Sequence, residues 1–290
     1  MLRNLVYGWY ERQLEREVRA GAIPQHVGVL PDGNRRFAKE TGLGSTAAGH
    51  RHGADTLERL VQWCDELEIP VLTLWVLSTD NFQRPEEELS AIFALVEERI
   101  DRLAEMQERA RRPRRIRAVG RRDLLPAATL EAIERIERTT AGNAGAELLV
   151  AVGYGGREEI VDAVRRMVAD HLKRGDSLEG IAAGLDADEI AKFLYAPDVP
   201  DPDLVIRTSG ELRLSGFMLW QSAYSEYYFC DVFWPAFRRI DFLRAIRSYG
   251  QRQRRRGPSH APPPAFRSSC ARMRRCTLPF RVRGSCSTKR

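Results

Sequence analysis

Along the chain, short runs rich in β-branched and apolar residues alternate with longer stretches of helical spacing. The runs "HVGVL" (His26 to Leu30), "VLTLWVL" (Val71 to Leu77), "RIRAVG" (Arg115 to Gly120), "ELLVAVGY" (Glu147 to Tyr154) and "DLVIRT" (Asp203 to Thr208) predict strands. Between them, Ala54 to Glu68, Pro85 to Arg111, Pro126 to Thr140 and Arg157 to Gly175 predict helices. The most regular helix carries Leu89, Ile92, Phe93, Val96, Ile100 and Leu103 at steps of three and four, one apolar stripe that either packs on a sheet or lines a cavity. Strands alternating with helices predict an α/β fold, a central parallel sheet flanked by helices.

In such sheets, ligands gather beyond the carboxyl ends of the strands. Four polar clusters fall there: "PDGNRR", "STDNFQR" (Ser78 to Arg84), "GGRE" (Gly155 to Glu158) and "RTSGELRLS" (Arg207 to Ser215). In the first, Gly33 lets backbone approach a ligand, and a helix starting near Asn34 would offer free N–H groups to an anion beside Arg35 and Arg36. Asp32 would repel that anion unless a cation such as Mg²⁺ lay between them. Taken alone, the pentapeptide reads as an ordinary turn before a solvated basic helix. The fourth cluster gathers Arg207, Thr208, Ser209, Arg213 and Ser215 around Gly210, the forked donors and hydroxyls that hold a diphosphate, or else a loop with surface arginines. Two anion clusters imply two phosphorylated substrates or one long one. His50, alone before a helix, reads as structural or catalytic.

Composition narrows the class. A 290-residue chain with 43% hydrophobic content can bury a sizeable core, and its apolar runs are too short to cross a bilayer. The N-terminus interleaves charges with apolar residues, unlike a signal segment, so a cytoplasmic protein is expected. The net charge of +6 is misleading, because 258–290 holds eight basic and no acidic residues, leaving about −2 for the body. Residues 258–290, with three of the five cysteines and the run "PSHAPPPAF", read as a disordered basic tail; its alternatives are an RNA contact or a peripheral contact with an anionic membrane. No nucleic-acid partner is expected for the body.

The four clusters in this order resemble the cis-prenyltransferase family, the isoprenyl diphosphate synthases related to undecaprenyl diphosphate synthase. The resemblance spans about residues 20 to 257 and is carried by "HVGVLPDGNRRFA", "GHRHGAD", "TLWVLSTDNFQRP", "VAVGYGGREEIVDAV", "PDPDLVIRTSGELRLSGFMLWQSAYSEYYF" and "VFWPAF". It implies a catalytic domain over 1–257, a hydrophobic tunnel between sheet and helices, a homodimer, and Mg²⁺-dependent condensation of isopentenyl diphosphate with an allylic diphosphate. By resemblance, Asp32 and Glu226 hold the metal and Asn81 serves proton removal. Gly33, Asn34, Arg35, Arg36, Phe37, His50, Ser78, Thr79, Asp80, Phe82 and Arg84 match substrate contacts, as do Arg207, Arg213, Leu214 and Ser215. Val76 and Leu77 stand where long-chain enzymes carry a small residue followed by Phe, so a bulkier floor predicts a short product such as Z,E-farnesyl diphosphate, with geranyl diphosphate as primer. The alternatives are a long-chain polyprenyl diphosphate synthase and a non-catalytic partner subunit; retention of Asp32, Asn34, Arg36 and Arg84 speaks against the latter.

Overall fold

The computed structural model describes residues 2–256, with side chains described for 7–252; the expected tail at 258–290 lies outside the described residues. After the helix α1 (Leu2–Arg19), the chain runs β1 (His26–Leu30), α2 (Asn34–Thr41), α3 (Thr46–Glu66), β2 (Val71–Ser78), α4 (Glu86–Arg109), β3 (Arg115–Val119), α5 (Ala127–Thr140) and β4 (Glu147–Tyr154). It continues with α6 (Gly156–Arg174), α7 (Leu178–Ala183), α8 (Ala187–Ala191), β5 (Leu204–Arg207), β6 (Glu226–Phe229) and α9 (Arg239–Arg256). The strands form one sheet in the order β3-β4-β2-β1-β5-β6, every pair parallel. The chain winds one way from β1 through β2 and the other way through β5, so the crevice at the carboxyl end of β1 is where the strand order switches.

The predicted strands recur within a residue or two; β1, β2, β4 and β5 are apolar runs buried largely on both faces, and the edge strand β3 buries only Ile116 and Val119. Two corrections are physical. Helix α3 begins eight residues before the expected Ala54, capped by the Ser45 hydroxyl, which accepts the Ala48 N–H. Its Gly49 and Gly53 read as loop residues, yet they let α3 press on Asn34, whose carbonyl and side-chain oxygen occupy the space a Cβ would need. Strand β6 was not expected, since four residues of "EYYF" carry too little pattern to separate them from the preceding turns.

The amino edge of the sheet is bound by buried polar groups. Arg114, fully buried, donates to Asp65 and to the carbonyls of Ile69, Pro70 and Glu147. His26, also fully buried, meets the Pro200 carbonyl through Nδ1 at 2.6 Å and the Thr73 hydroxyl through Nε2 at 2.8 Å. A carbonyl only accepts, so Nδ1 carries the proton, and burial favours the neutral ring, in which Nε2 accepts from the Thr73 hydroxyl. Burial lowers its pKa to about 4. The unfolded ring takes up its proton near the ordinary value of about 6.5, so the His26 contribution is full above that and declines as pH falls toward 4, by about 3 kcal/mol in total. Urea unfolding at pH 7.5 and at pH 4.5 should show this loss, and His26→Gln should flatten that part of the slope; an unchanged slope would contradict a neutral buried ring.

Candidate active site

The loop after β1 is fixed from two distant parts of the chain. The Asp32 N–H donates to the Thr208 hydroxyl at 2.8 Å, and the Asp32 carbonyl accepts from the Trp234 N–H at 2.9 Å. Trp234 is itself buried, its ring N–H held at 2.7 Å by the Gly53 carbonyl. Gly33 sits at φ +100°, and a Cβ there would come within 2.6 Å of the Phe233 ring, so this turn admits glycine alone. From it α2 starts, pointing its free N–H groups at the mouth of a cavity of about 890 Å³.

Asp32 meets Arg207 at 3.0 Å and Arg36 at 3.4 Å. Burial pushes its carboxyl pKa up, but the hydrogen bond and charge of Arg207, with Arg36 and the Gly33 N–H, outweigh this and hold it below the usual range. Asp32 is therefore ionised at neutral pH. Arg207 also donates to the Ser215 hydroxyl at 2.8 Å and to the Arg213 carbonyl. Arg36 bonds Ser209 at 2.7 Å and Glu211 at 3.3 Å. Across the mouth, Glu88 collects Arg84 at 3.0 Å, His50 at 3.7 Å and Arg35 at 3.9 Å. Burial, the largest influence, lowers the His50 pKa. Its Nδ1 faces the Asn34 amide at 3.4 Å; accepting from that amide leaves the proton on Nε2, a donor toward the cavity.

Five cations, Arg35, Arg36, Lys39, Arg84 and Arg207, line the same cavity as the carboxylate Asp32 at this end. The Asn34 side-chain oxygen, His50 Nε2 and Arg207 Nε are buried here without a hydrogen-bond partner in the protein. Such groups are costly unless a ligand satisfies them. Deeper, the lining turns apolar: Leu57, Ile92, Leu95, Val96, Ile100 and Leu103 from α3 and α4, Ile133 and Ile136 from α5, and Val76, Ile116, Ala118, Val150 and Val152 from the sheet. An anion-binding mouth on an apolar cavity suits a ligand with a phosphate head and a hydrocarbon tail.

Asp32, Gly33, Asn34, Arg35, Arg36, His50, Ser78, Asn81, Arg84, Arg207, Ser215 and Val76 all line this cavity. Asn81 and Ser78 cap each other reciprocally, which holds both side chains at its rim. Others serve it indirectly or lie elsewhere. Phe37 stands edge-on to His52, Phe82 packs on Phe93, and Thr79 approaches Gly155, so the "GGRE" cluster makes room for the turn after β2. Asp80 is exposed. Arg213 turns outward to Glu211 at 2.6 Å, and Leu214 contributes its carbonyl to a turn with Phe217.

Leu77 is buried in the main core, because a bulge after Trp75 breaks the alternation that would have put it elsewhere. Glu226 is not brought to Asp32 within the chain. It opens β6 level with Leu204, three strand positions or about 10 Å from the Arg207 end, and its carboxylate accepts from Arg252 at 2.9 Å. Among the described residues no group of three or more His, Cys, Asp or Glu is placed to hold a metal. Glu88 and Trp234 escaped the sequence reading; the Arg84 to Glu88 spacing of four was a usable sign for the first.

Fold and site together suit an enzyme that handles a phosphorylated hydrocarbon. The chain belongs to the undecaprenyl diphosphate synthase family, whose family model matches residues 30–257, and it is a cis-prenyltransferase. It is 53% identical to the (2Z,6E)-farnesyl diphosphate synthase of Thermobifida fusca over 257 residues, covering 89% of this chain and 99% of that one. It is 51% identical to the tritrans,polycis-undecaprenyl-diphosphate synthase (geranylgeranyl-diphosphate specific) of Methanopyrus kandleri, covering 87% and 91%. Lavandulyl diphosphate synthase from Lavandula x intermedia, solved with dimethylallyl diphosphate, superposes with a TM-score of 0.74 at 32% identity, covering 78% of this chain and 95% of that one. No helix among the described residues is long and apolar enough to cross a membrane.

Proposed function

We propose that the protein condenses isopentenyl diphosphate with geranyl diphosphate to give a short Z-isoprenyl diphosphate, Z,E-farnesyl diphosphate, as an Mg²⁺-dependent homodimer. The observation that carries this reading is the joining of a cationic mouth around Asp32 to an apolar cavity of about 890 Å³. The α2 amides with Arg35, Arg36, Arg84 and the Nε2 donor of His50 receive the allylic diphosphate, while Arg207 and Ser215 hold that of isopentenyl diphosphate. The carbon–oxygen bond of the allylic substrate breaks with its electron pair leaving on diphosphate. The allylic carbon bonds to the terminal carbon of isopentenyl diphosphate, and loss of a proton leaves the new Z double bond. The arginines stabilise the charge that grows on the leaving group. Asn81, held by Ser78 at the rim, faces the region where that proton departs.

Mg²⁺ fits this donor set: Asp32 is an ionised carboxylate inside a ring of arginines, and Mg²⁺ is commonly held by one or two carboxylates together with substrate phosphate oxygens. Bound there, it supplies further charge neutralisation for the departing diphosphate. The test is incubation of the purified protein with Mg²⁺, isopentenyl diphosphate and geranyl or farnesyl diphosphate, followed by product length and stereochemistry. A Z,E product of about three isoprene units, lost on adding a chelator, is expected. No condensation with any allylic primer would refute the reading, and products of many units would replace it with the long-chain one.

A further inference from the structure

We propose that Arg99 and Glu58 form a charged collar across the cavity that limits how far the product chain grows. This rests on the prenyltransferase reading above. The cavity-facing stripe of α4 is Ile92, Leu95, Val96, Arg99, Ile100 and Leu103, and that of α3 includes Ala54, Leu57 and Glu58. A charge therefore interrupts the apolar stripe of α4 and ends the cavity lining of α3, and the two meet. Arg99 Nη1 lies 2.7 Å from Glu58 and 2.8 Å from Asp55, while Arg102 approaches the other Glu58 oxygen at 3.1 Å. The Arg99 and Glu58 side chains are 12% and 11% exposed, and Arg99 Nε is buried without a hydrogen-bond partner. Other ties on α4, such as Arg135 to Asp101 and Thr129 to Glu97, hold it to α5 through groups that do not line the cavity. Arg99 and Glu58 hold α4 to α3 through groups that do.

Their depth matches a short product. Glu58 is eight residues along α3 from His50, and Arg99 is eleven along α4 from Glu88, about 12 and 16 Å at the helical rise. His50 and Glu88 mark the level of the diphosphate cations. An extended prenyl chain advances about 5 Å per five-carbon unit, so roughly two to three units fit before the collar and the next one meets it. Beyond it the cavity continues between Leu103, Ile116, Ile133 and Ile136. A hydrocarbon tail entering that space must slide past ion-paired groups it cannot solvate, or part them and leave charges buried without partners.

The experiment compares products made from labelled isopentenyl diphosphate and geranyl diphosphate by the full chain, by Glu58→Leu with Arg99→Met, and by the exchange Glu58→Arg with Arg99→Glu. The wild type is expected to stop at about three units, the apolar pair to add at least one more, and the exchanged pair to return to the wild-type limit. Arg99→Met alone leaves Glu58 its contact with Arg102 and provides a milder variant, expected to lengthen product in the same direction should the double variant not fold. A folded apolar variant with a lower melting temperature but wild-type product length would overturn the collar while leaving the short-chain reading intact. A wild type that makes longer chains past the intact pair would overturn the collar directly, and a wild type inert with every allylic primer would remove the reading beneath it.

Discussion

Asp32→Asn should abolish nearly all condensation, lowering kcat by about 10² to 10³-fold, the loss expected when one strong electrostatic stabiliser of the leaving group disappears. The substitution keeps the shape and oxygen of the side chain but removes its charge. Arg207 retains Ser215 and the Arg213 carbonyl, and the loop retains its backbone ties to Thr208 and Trp234, so the fold should lose no more than about 1–2 kcal/mol. Circular dichroism and a melting curve would register the second expectation, and single-turnover kinetics with Mg²⁺ the first. Two arginines gather on Asp32. If Asp32 merely oriented those arginines, the amide would preserve most of the rate, because its oxygen still accepts from them. Near-wild-type turnover by Asp32→Asn would therefore reject both its metal role and its electrostatic role.

The parts of this enzyme that were legible in the sequence are those written in local pattern. Five strands announced themselves as apolar runs, and the polar clusters at their carboxyl ends were recognisable because strand direction in a parallel sheet sends every such cluster to one edge. What sequence could not supply is distance between segments far apart. Glu226 lies in a strongly recognisable stretch, yet within the chain its strand begins where β5 begins, at the edge opposite Asp32. Leu77 follows Val76 directly, but a bulge decides that Val76 meets the cavity and Leu77 the core. Gly49 and Gly53 look like helix breakers until α2 is laid against them. The charges at Arg99 and Glu58 were in plain view in the sequence, but that they pair at the cavity wall shows only in the fold.

The two edges of the sheet divide the buried charges by task. At the amino edge, Arg114 is surrounded by acceptors that the chain itself provides, and His26 has a partner on each ring nitrogen. At the carboxyl edge, Asn34, His50 and Arg207 each keep a buried polar atom with no partner in the protein. Both edges bear the desolvation cost of burial, and at the second Asn34, His50 and Arg207 leave hydrogen-bonding capacity for a ligand to complete.

Arg207→Met should couple a loss of substrate affinity to a change in pH dependence. Arg207 is buried and bridges Asp32, Ser215 and the Arg213 carbonyl, so methionine fills part of its volume while removing the forked donor proposed to hold isopentenyl diphosphate. A loss of about 10² to 10³-fold in kcat/KM, carried largely by KM for isopentenyl diphosphate, is the expected result. The second effect follows from Asp32. Burial alone raises its pKa, and Arg207 is the main influence that brings it down. With Arg207 gone, burial remains and only the more exposed Arg36 and the Gly33 N–H oppose it, so the carboxyl pKa rises. Activity that needs ionised Asp32 then falls away at higher pH than in the wild type, and the acid limb of the pH–rate profile moves upward. Arg207→Lys, which restores the charge without the fork, should return the limb toward its original position while leaving KM high. An acid limb that stays in place in Arg207→Met would show that ionisation of Asp32 does not govern the rate, whatever happens to substrate affinity.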